Sequence, residues 1–169
     1  MYSKKGNLEL VGHLKFGELA NDPKNGIASY KWNYDENNNV VEFCKYDVIG
    51  NMKDLNGIAL ERYKYDESGN VIEQKSFKAY NLIVGDTASY QMTSMKYHPD
   101  NSISEISFYL PSKELREFYD ESTRTRNLYD IRGNLVETVH FDENGDLVVC
   151  GKPRFAKARF DYDESDNHI

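Results

Sequence analysis

Oxygen-bearing side chains at alternate positions make one loop the chain's best candidate for metal chemistry. Asp142, Asn144 and Asp146 offer the carboxylate and amide oxygens that hard cations such as Ca²⁺ prefer. Leu147 stands where a calcium loop needs glycine, and Pro153 where it needs a bidentate glutamate. The Asn-Gly pair inside the loop is itself a strong turn signal. We therefore predict a hairpin turn and no metal or other cofactor, with the metal loop as the weaker alternative.

Groups that could act as nucleophiles, acids or bases lack local partners. No two of the four histidines stand four residues apart, as they do in helical zinc sites. The sequence contains no glycine-rich phosphate loop and no nucleophile elbow. Cys44 and Cys150 are 106 residues apart, a spacing that indicates two unrelated free thiols. We therefore predict no catalytic residues and no enzymatic activity.

Aromatic side chains are the remaining resource for binding, at 13% of the 169 residues. Their ordinary use is to pack a thin β-core. The functional alternative is a platform for a sugar ring or a partner protein, because Tyr and Trp combine a large contact area with a polar tip. The candidates for such a platform are Tyr30, Trp32, Tyr63 and Tyr80.

An internal repeat positions these residues. The segment NGIASYKWNYDENNNVVE from Asn25 matches NGIALERYKYDESGNVIE from Asn56, an offset of 31 residues. The same register places a tyrosine at the head of every copy, at spacings of 31 to 33 residues. These anchor tyrosines are Tyr2, Tyr34, Tyr65, Tyr97, Tyr129 and Tyr162. Self-similarity at such a period is the signature of a repeat architecture.

Each copy has the signals of a strand, a tight turn and a second strand. Four residues after the anchor stands a residue type that tolerates the left-handed backbone region. These turn positions are Gly6, Asn38, Gly69, Asn101, Gly133 and Asp166. Apolar strand residues follow two positions later, and an aspartate after most anchors is suited to hydrogen-bond the turn. A weaker apolar position twelve residues past the anchor predicts a second hairpin in each copy.

We therefore predict an all-β fold of tandem two-hairpin repeats of about 32 residues, which form an elongated, twisted, mainly antiparallel sheet. Residues 1–169 would be a single array with about five units and a partial unit at Tyr162. The segment 112–120 departs from the pattern, because helical spacing and strand spacing fit it equally well. A short helix and a strand are both open there.

One polar column recurs eight residues after the anchor and consists of Glu42, Glu73, Glu105 and Glu137. It could be a cation-binding ladder or a solvated strand face. With about four strands between successive copies the glutamates would lie about 19 Å apart, beyond the Debye length of about 8 Å. Their mutual repulsion would then be small, so we favour the solvated face.

The net charge of −7 disfavours nucleic acid and anionic membrane surfaces as partners. No apolar run is long enough to cross a bilayer, so we predict no membrane insertion. The first residues lack the apolar block of a signal peptide. The protein is therefore expected to be cytoplasmic, or exported or envelope-associated if an export signal has been removed.

Three segments carry a resemblance to a known family: YDENNNVVE at Tyr34, YDESGNVIE at Tyr65 and YDIRGNLVE at Tyr129. They resemble the tyrosine-aspartate (YD/Rhs-type) repeats of bacterial surface and toxin-delivery proteins, and also MORN-type antiparallel repeats. The resemblance implies tandem β-hairpins without catalysis of their own, in exported or cell-envelope proteins that serve as containers or adhesive surfaces.

The function that we predict is non-enzymatic binding or scaffolding, in which a β-sheet surface is presented to a protein partner. The first alternative is a carbohydrate-binding module of the cell envelope, which would expose a row of aromatic rings to a glycan. The second is an acidic immunity or antitoxin-type protein that neutralises a basic toxin, consistent with the charge of −7.

Overall fold

The computed structural model describes residues 1–79, 91–109, 122–150 and 154–169. The strands in these ranges pair antiparallel, which confirms the predicted all-β, mainly antiparallel fold. The chain divides into two compact units, Met1–Tyr90 and Gln91–Ile169, so the single continuous array stays a prediction. The segment predicted as helix or strand, 112–120, lies outside the described residues.

The N-terminal unit contains one sheet in the order β1-β4-β5-β6-β7 and a separate β2–β3 hairpin. Consecutive strands are neighbours from β4 onward, as expected for a chain of hairpins. The strands are β1 (Leu10–Gly12), β2 (Leu14–Lys15), β3 (Glu18–Leu19), β4 (Ser29–Tyr34), β5 (Val40–Tyr46), β6 (Leu60–Tyr65) and β7 (Val71–Phe77).

The C-terminal unit repeats this arrangement in a sheet of order β8-β9-β10-β11-β12. Its strands are β8 (Gln91–Tyr97), β9 (Ile103–Tyr109), β10 (Arg124–Tyr129), β11 (Leu135–Phe141) and β12 (Lys157–Arg159). The hairpins β4–β5, β6–β7, β8–β9 and β10–β11 all bend directly after an anchor tyrosine, so the sequence period and the structural period coincide.

The turn after each anchor tyrosine has the predicted chemistry. In the turn that begins at Asp66, the carboxylate Oδ1 accepts hydrogen bonds from the backbone N–H groups of Ser68 and Asn70, both at 2.9 Å. The Asn70 amide donates to the second carboxylate oxygen at 3.1 Å. The donors on Asn70 hold the pKa of Asp66 below its usual range. The aspartates of the other YD turns, at positions 35, 130 and 163, make the same bonds.

The column predicted to need a left-handed backbone is confirmed at every copy. Its φ angles lie between 63° and 88°, at Gly6, Asn38, Gly69, Asn101, Gly133 and Asp166. The extra turn residue shifts the strand register directly before the anchor in all four main hairpins. Such a bulge fixes which side chains face each other across the hairpin.

Three anchor tyrosines tie their copy to the one before it. Their hydroxyl groups donate to the backbone carbonyl of the first apolar residue after the preceding copy's turn. The pairs are Tyr34 to Leu8 at 2.7 Å, Tyr65 to Val40 at 2.7 Å and Tyr162 to Leu135 at 3.1 Å. The anchors could be found from the sequence alone. The structure shows in addition that the phenol hydroxyl of these three anchors makes a hydrogen bond, which a phenylalanine could not make.

The second hairpin of a copy is smaller than the first. After β5 and β11 the chain makes another aspartate-headed turn, closed by the isolated bridges Tyr46–Met52 and Phe141–Leu147. The long strands of a described copy are therefore the two of the main hairpin. This matters for spacing, because equivalent residues of successive copies within one unit lie two strands apart, about 9.6 Å.

The core of the N-terminal unit lies on one face of its sheet. Cys44, Leu60 and Phe77 are opposite one another on β5, β6 and β7, and each is at most 3% exposed. Tyr46 and Met52 pack against them. Burial raises the pKa of the Cys44 thiol, so this cysteine behaves as a packed apolar group. Cys150 is also buried, and no disulfide joins the two.

Candidate binding surface

Four aromatic rings share the sheet face opposite this core. Trp32 on β4 stands directly across from Phe43 on β5, and Phe43 stands across from Glu61 on β6. Tyr30 and Tyr63 lie two residues along their strands from these positions, and side chains two residues apart point to the same face. We call Tyr30, Trp32, Phe43 and Tyr63 the aromatic face.

Three of these rings form a contiguous cluster. Tyr30 and Phe43 are stacked, with centroids 6.0 Å apart and ring planes 2° apart. Trp32 lies 5.1 Å from Phe43 and 6.3 Å from Tyr30, tilted by about 30° from each. All four side chains of the aromatic face are half-buried. The strand pair therefore holds the rings rigidly while part of each remains accessible to solvent.

The structure brings together three of the four predicted platform residues and adds Phe43. Tyr80, the fourth, lies outside the described residues. Phe43 was missed because it stands on the second strand of the hairpin, where alternation along a single strand gives no hint of Trp32. The signal that could have found it is the register shift at the turn, which sets Trp32 opposite Phe43.

The carboxylate of Glu61 lies on the same sheet face, next to the aromatic rings. Glu61 accepts a hydrogen bond from the Gln74 amide at 2.8 Å, and the Lys45 ammonium lies 4.0 Å from its other oxygen. The same ammonium lies 5.2 Å from the centre of the Phe43 ring. Burial, followed by the charge of Glu61, raises the pKa of Tyr63 to about 12. The surface thus combines apolar rings with fixed hydrogen-bonding groups.

The raised pKa of Tyr63 predicts a loss of stability in strong alkali. Below about pH 10 the phenol is neutral in the folded and unfolded chains, so its contribution is constant. Between pH 10 and about 12 the unfolded chain loses this proton while the folded chain keeps it, which favours unfolding. We expect the free energy of unfolding to fall across this window, and to fall less steeply in Tyr63→Phe. Urea unfolding at a series of pH values measures both slopes, and equal slopes would contradict the assignment.

The candidate metal loop is a hairpin turn in the structure. Asp142 Oδ1 accepts the backbone N–H groups of Asn144 and Asp146, both at 2.9 Å, and Gly145 has φ +87°. These are the bonds of the YD turns, so this oxygen serves the backbone. Within residues 1–79, 91–109, 122–150 and 154–169, no cluster of three or more His, Cys, Asp or Glu side chains could hold a metal ion.

The glutamate column shares a sheet face with buried residues, Cys44 in the N-terminal unit and Ser107 and Val139 in the C-terminal unit, and it is ion-paired. The closest contacts are Glu42 with Arg62 at 3.0 Å, Glu73 with Lys64 at 3.0 Å, Glu105 with Lys96 at 3.1 Å and Glu137 with Lys157 at 2.8 Å. The glutamate side chains are only 11–26% exposed. The expectation of a solvated face was therefore wrong, and the column is a ladder of salt bridges. Two strands separate successive copies instead of four, and the neighbouring strands place a lysine or arginine beside each glutamate.

The β2–β3 hairpin exposes an apolar tip that the sequence did not reveal. Phe16 is 95% exposed and has φ +56°, while Gly17 beside it has φ +88°. The other non-glycine residues with positive φ among the described residues are all Asn or Asp, which tolerate this region well. Positive φ at both loop residues is what a type I′ hairpin turn requires, so the turn accounts for the backbone and leaves the phenylalanine side chain exposed.

No protein-family model matches the chain, and no curated protein sequence matches it. Among solved structures, the chain is similar to one described as "Crystal Structure of TcdB2-TccC3-TEV", with a TM-score of 0.35 and 14% sequence identity. The match covers 99% of this chain, which spans 8% of the length of that one. At this level the similarity supports no conclusion about family or function, and the YD/Rhs-type resemblance stays a prediction.

No helix among the described residues is long and apolar enough to cross a membrane.

Proposed function

We propose that this chain is a non-enzymatic binding protein that presents the aromatic face of its N-terminal unit to a protein partner. The observation that carries the proposal is the cluster of Tyr30, Trp32 and Phe43, whose rings contact one another on a sheet face and remain half-exposed. Rigid aromatic side chains supply large contact areas at low entropic cost and dominate the energetics of protein interfaces.

Two further features support a protein as the ligand. The Glu61–Gln74 pair places a fixed acceptor and donor beside the rings, which a partner's polar groups can match. Phe16 offers a second apolar contact at the tip of the β2–β3 hairpin, where its side chain is 95% exposed. The carboxylates described above serve turns and salt bridges, which supports binding without catalysis.

A carbohydrate ligand is the second candidate, favoured by a specific cleft. The cleft has a volume of about 470 Å³, and Trp32 is one of the residues that line it. The polar residues Asn7, Glu9, Asn33 and Asn38 also line it. An aromatic surface with a few converging polar groups suits a sugar ring. The acidic immunity-type function rests on net charge alone and stays a prediction.

Affinity capture from the source cell, with the whole chain as bait, tests the proposal. We expect the chain to retain a protein in fixed stoichiometry, and Trp32→Ala combined with Phe43→Ala to lose it. Ile131→Ala, which removes an exposed turn residue of the other unit, should retain it. Unchanged capture by the double variant would contradict the proposal.

A glycan array probed with the same three proteins separates the candidates. Glycan binding that depends on Trp32 without protein capture would favour the carbohydrate ligand. Capture that collapses as salt rises, and that survives loss of the rings, would favour the acidic immunity-type function. Thermal melting of each variant establishes that it is folded before its binding is compared with that of the unaltered chain.

A further inference from the structure

One face of the C-terminal sheet, which carries the buried residues Ser107 and Val139, gathers four cations. Arg124 and Arg126 on β10 and Lys157 and Arg159 on β12 flank the central strand β11. The register places Arg126 opposite Val139 and Val139 opposite Lys157, while Arg159 stands opposite Glu137. Directly opposed residues, and residues two apart on a strand, share a face. We call these four side chains the basic cluster.

A single glutamate balances most of this charge. Glu137 has its carboxylate 2.8 Å from Lys157, 3.1 Å from Arg159 and 3.4 Å from Arg126. Those contacts hold the pKa of Glu137 below its usual range, with the hydrogen bond from Lys157 as the largest cause. One negative charge therefore faces three positive charges before Arg124 is counted, and the cluster retains an excess of positive charge.

Among the described residues, aromatic rings and not a carboxylate hold Arg124 in place. Its guanidinium lies 4.0 Å from the centre of the Phe141 ring and 5.9 Å from that of Tyr109, on the strands to either side. Among the described residues no salt bridge reaches it, and the buried Nε atoms of Arg124 and Arg126 have no hydrogen-bond partner. Stacking fixes the plane of a guanidinium while its edge keeps donors for an incoming anion.

The N-terminal unit provides a matched comparison. Arg62 also lies over a ring, 5.5 Å from the centre of Phe77. Its Nε donates to Glu42 at 3.0 Å, so the same kind of arginine is satisfied within the protein. The difference is that Arg62 has a carboxylate acceptor, whereas no described residue supplies one to Arg124.

We infer that the basic cluster is a binding site for an acidic protein segment, whose carboxylates pair with the positive charge that Glu137 leaves unbalanced. The guanidinium fork matches a carboxylate in a bidentate geometry. A short segment suits the site better than a long polyanion, because the chain as a whole carries a charge of −7 and repels negative charge beyond the cluster. The site lies in the other unit from the aromatic face, so either proposal can fail alone.

The test is a fluorescence anisotropy titration of the whole chain with a labelled peptide in which aspartate alternates with serine. We expect saturable binding at low salt that weakens as salt rises, and no binding of the matched asparagine peptide. Arg124→Gln should weaken binding about tenfold, whereas Arg62→Gln should change it by less than about twofold. Equal losses in these two variants, or equal binding of both peptides, would overturn the inference.

Two additional measurements keep the test decisive. Should Arg124→Gln fail to fold by circular dichroism, Arg159→Gln replaces it, since the Arg159 side chain is 74% exposed and its loss should spare the fold. That variant is expected to weaken peptide binding about threefold, and an unchanged affinity would count against the site. Tighter binding of a phosphoserine peptide or of duplex DNA than of the aspartate peptide would also overturn the choice of an acidic segment.

Discussion

Replacing Leu60 by alanine should lower the free energy of unfolding of the N-terminal unit by about 2–5 kcal/mol. Leu60 is 1% exposed and lies between Cys44 and Phe77 in the cross-strand register. The substitution removes buried methyl groups and leaves a cavity that the paired backbones on both sides cannot close. Urea unfolding followed by circular dichroism measures the change.

The control is Ile72→Ala on the neighbouring strand β7. Ile72 is 37% exposed, so its truncation should cost below about 1 kcal/mol. If the two variants were equally stable, the cluster of Cys44, Leu60 and Phe77 would not be the core that holds these strands together.

Replacing Gly69 by valine is the second large effect, at about 1–3 kcal/mol of destabilisation. Gly69 has φ +85°, and a Cβ atom added there would meet no atom within 4 Å. The cost therefore comes from the backbone conformation, which a β-branched residue strongly disfavours. Thermal or urea unfolding of the variant gives the value.

Asparagine at the same position is the matched control. Asn38 and Asn101 occupy equivalent turns with φ +67° and +66°, so Gly69→Asn should cost only a few tenths of a kcal/mol. A loss as large as that of Gly69→Val would show that the side chain clashes with its surroundings, and would refute the backbone explanation.

The turns could be predicted from sequence because their physics is local. The left-handed backbone conformation of these turns limits its position to glycine, asparagine or aspartate. The aspartate that opens the turn accepts hydrogen bonds from backbone N–H groups two and four residues later, so it needs no distant partner. The roles of Asp66 and Gly69 can therefore be predicted from the six residues 65–70 alone. The fold class follows from the repetition of that signal.

The binding surfaces could not be predicted in the same way, because they depend on pairing between strands. Phe43 joins Trp32 only through the hairpin register, and Arg124 meets Phe141 and Tyr109 from two different strands. The salt-bridge ladder was missed for a related reason, since the number of strands between copies was overestimated. Phe16 was missed because nothing in its sequence neighbourhood distinguishes an exposed phenylalanine from one that packs.

Three anchor hydroxyl groups reach back by one copy, from Tyr34 to Leu8, from Tyr65 to Val40 and from Tyr162 to Leu135. Where this bond forms, a gain or loss of one whole period would keep a carbonyl within reach of the phenol, whereas a fractional change would remove the acceptor. Unequal crossing-over in whole periods would thus lengthen or shorten such an array without a new fold having to be invented. The tyrosine hydrogen bond therefore allows the number of copies to change during evolution while the contacts between neighbouring copies are kept.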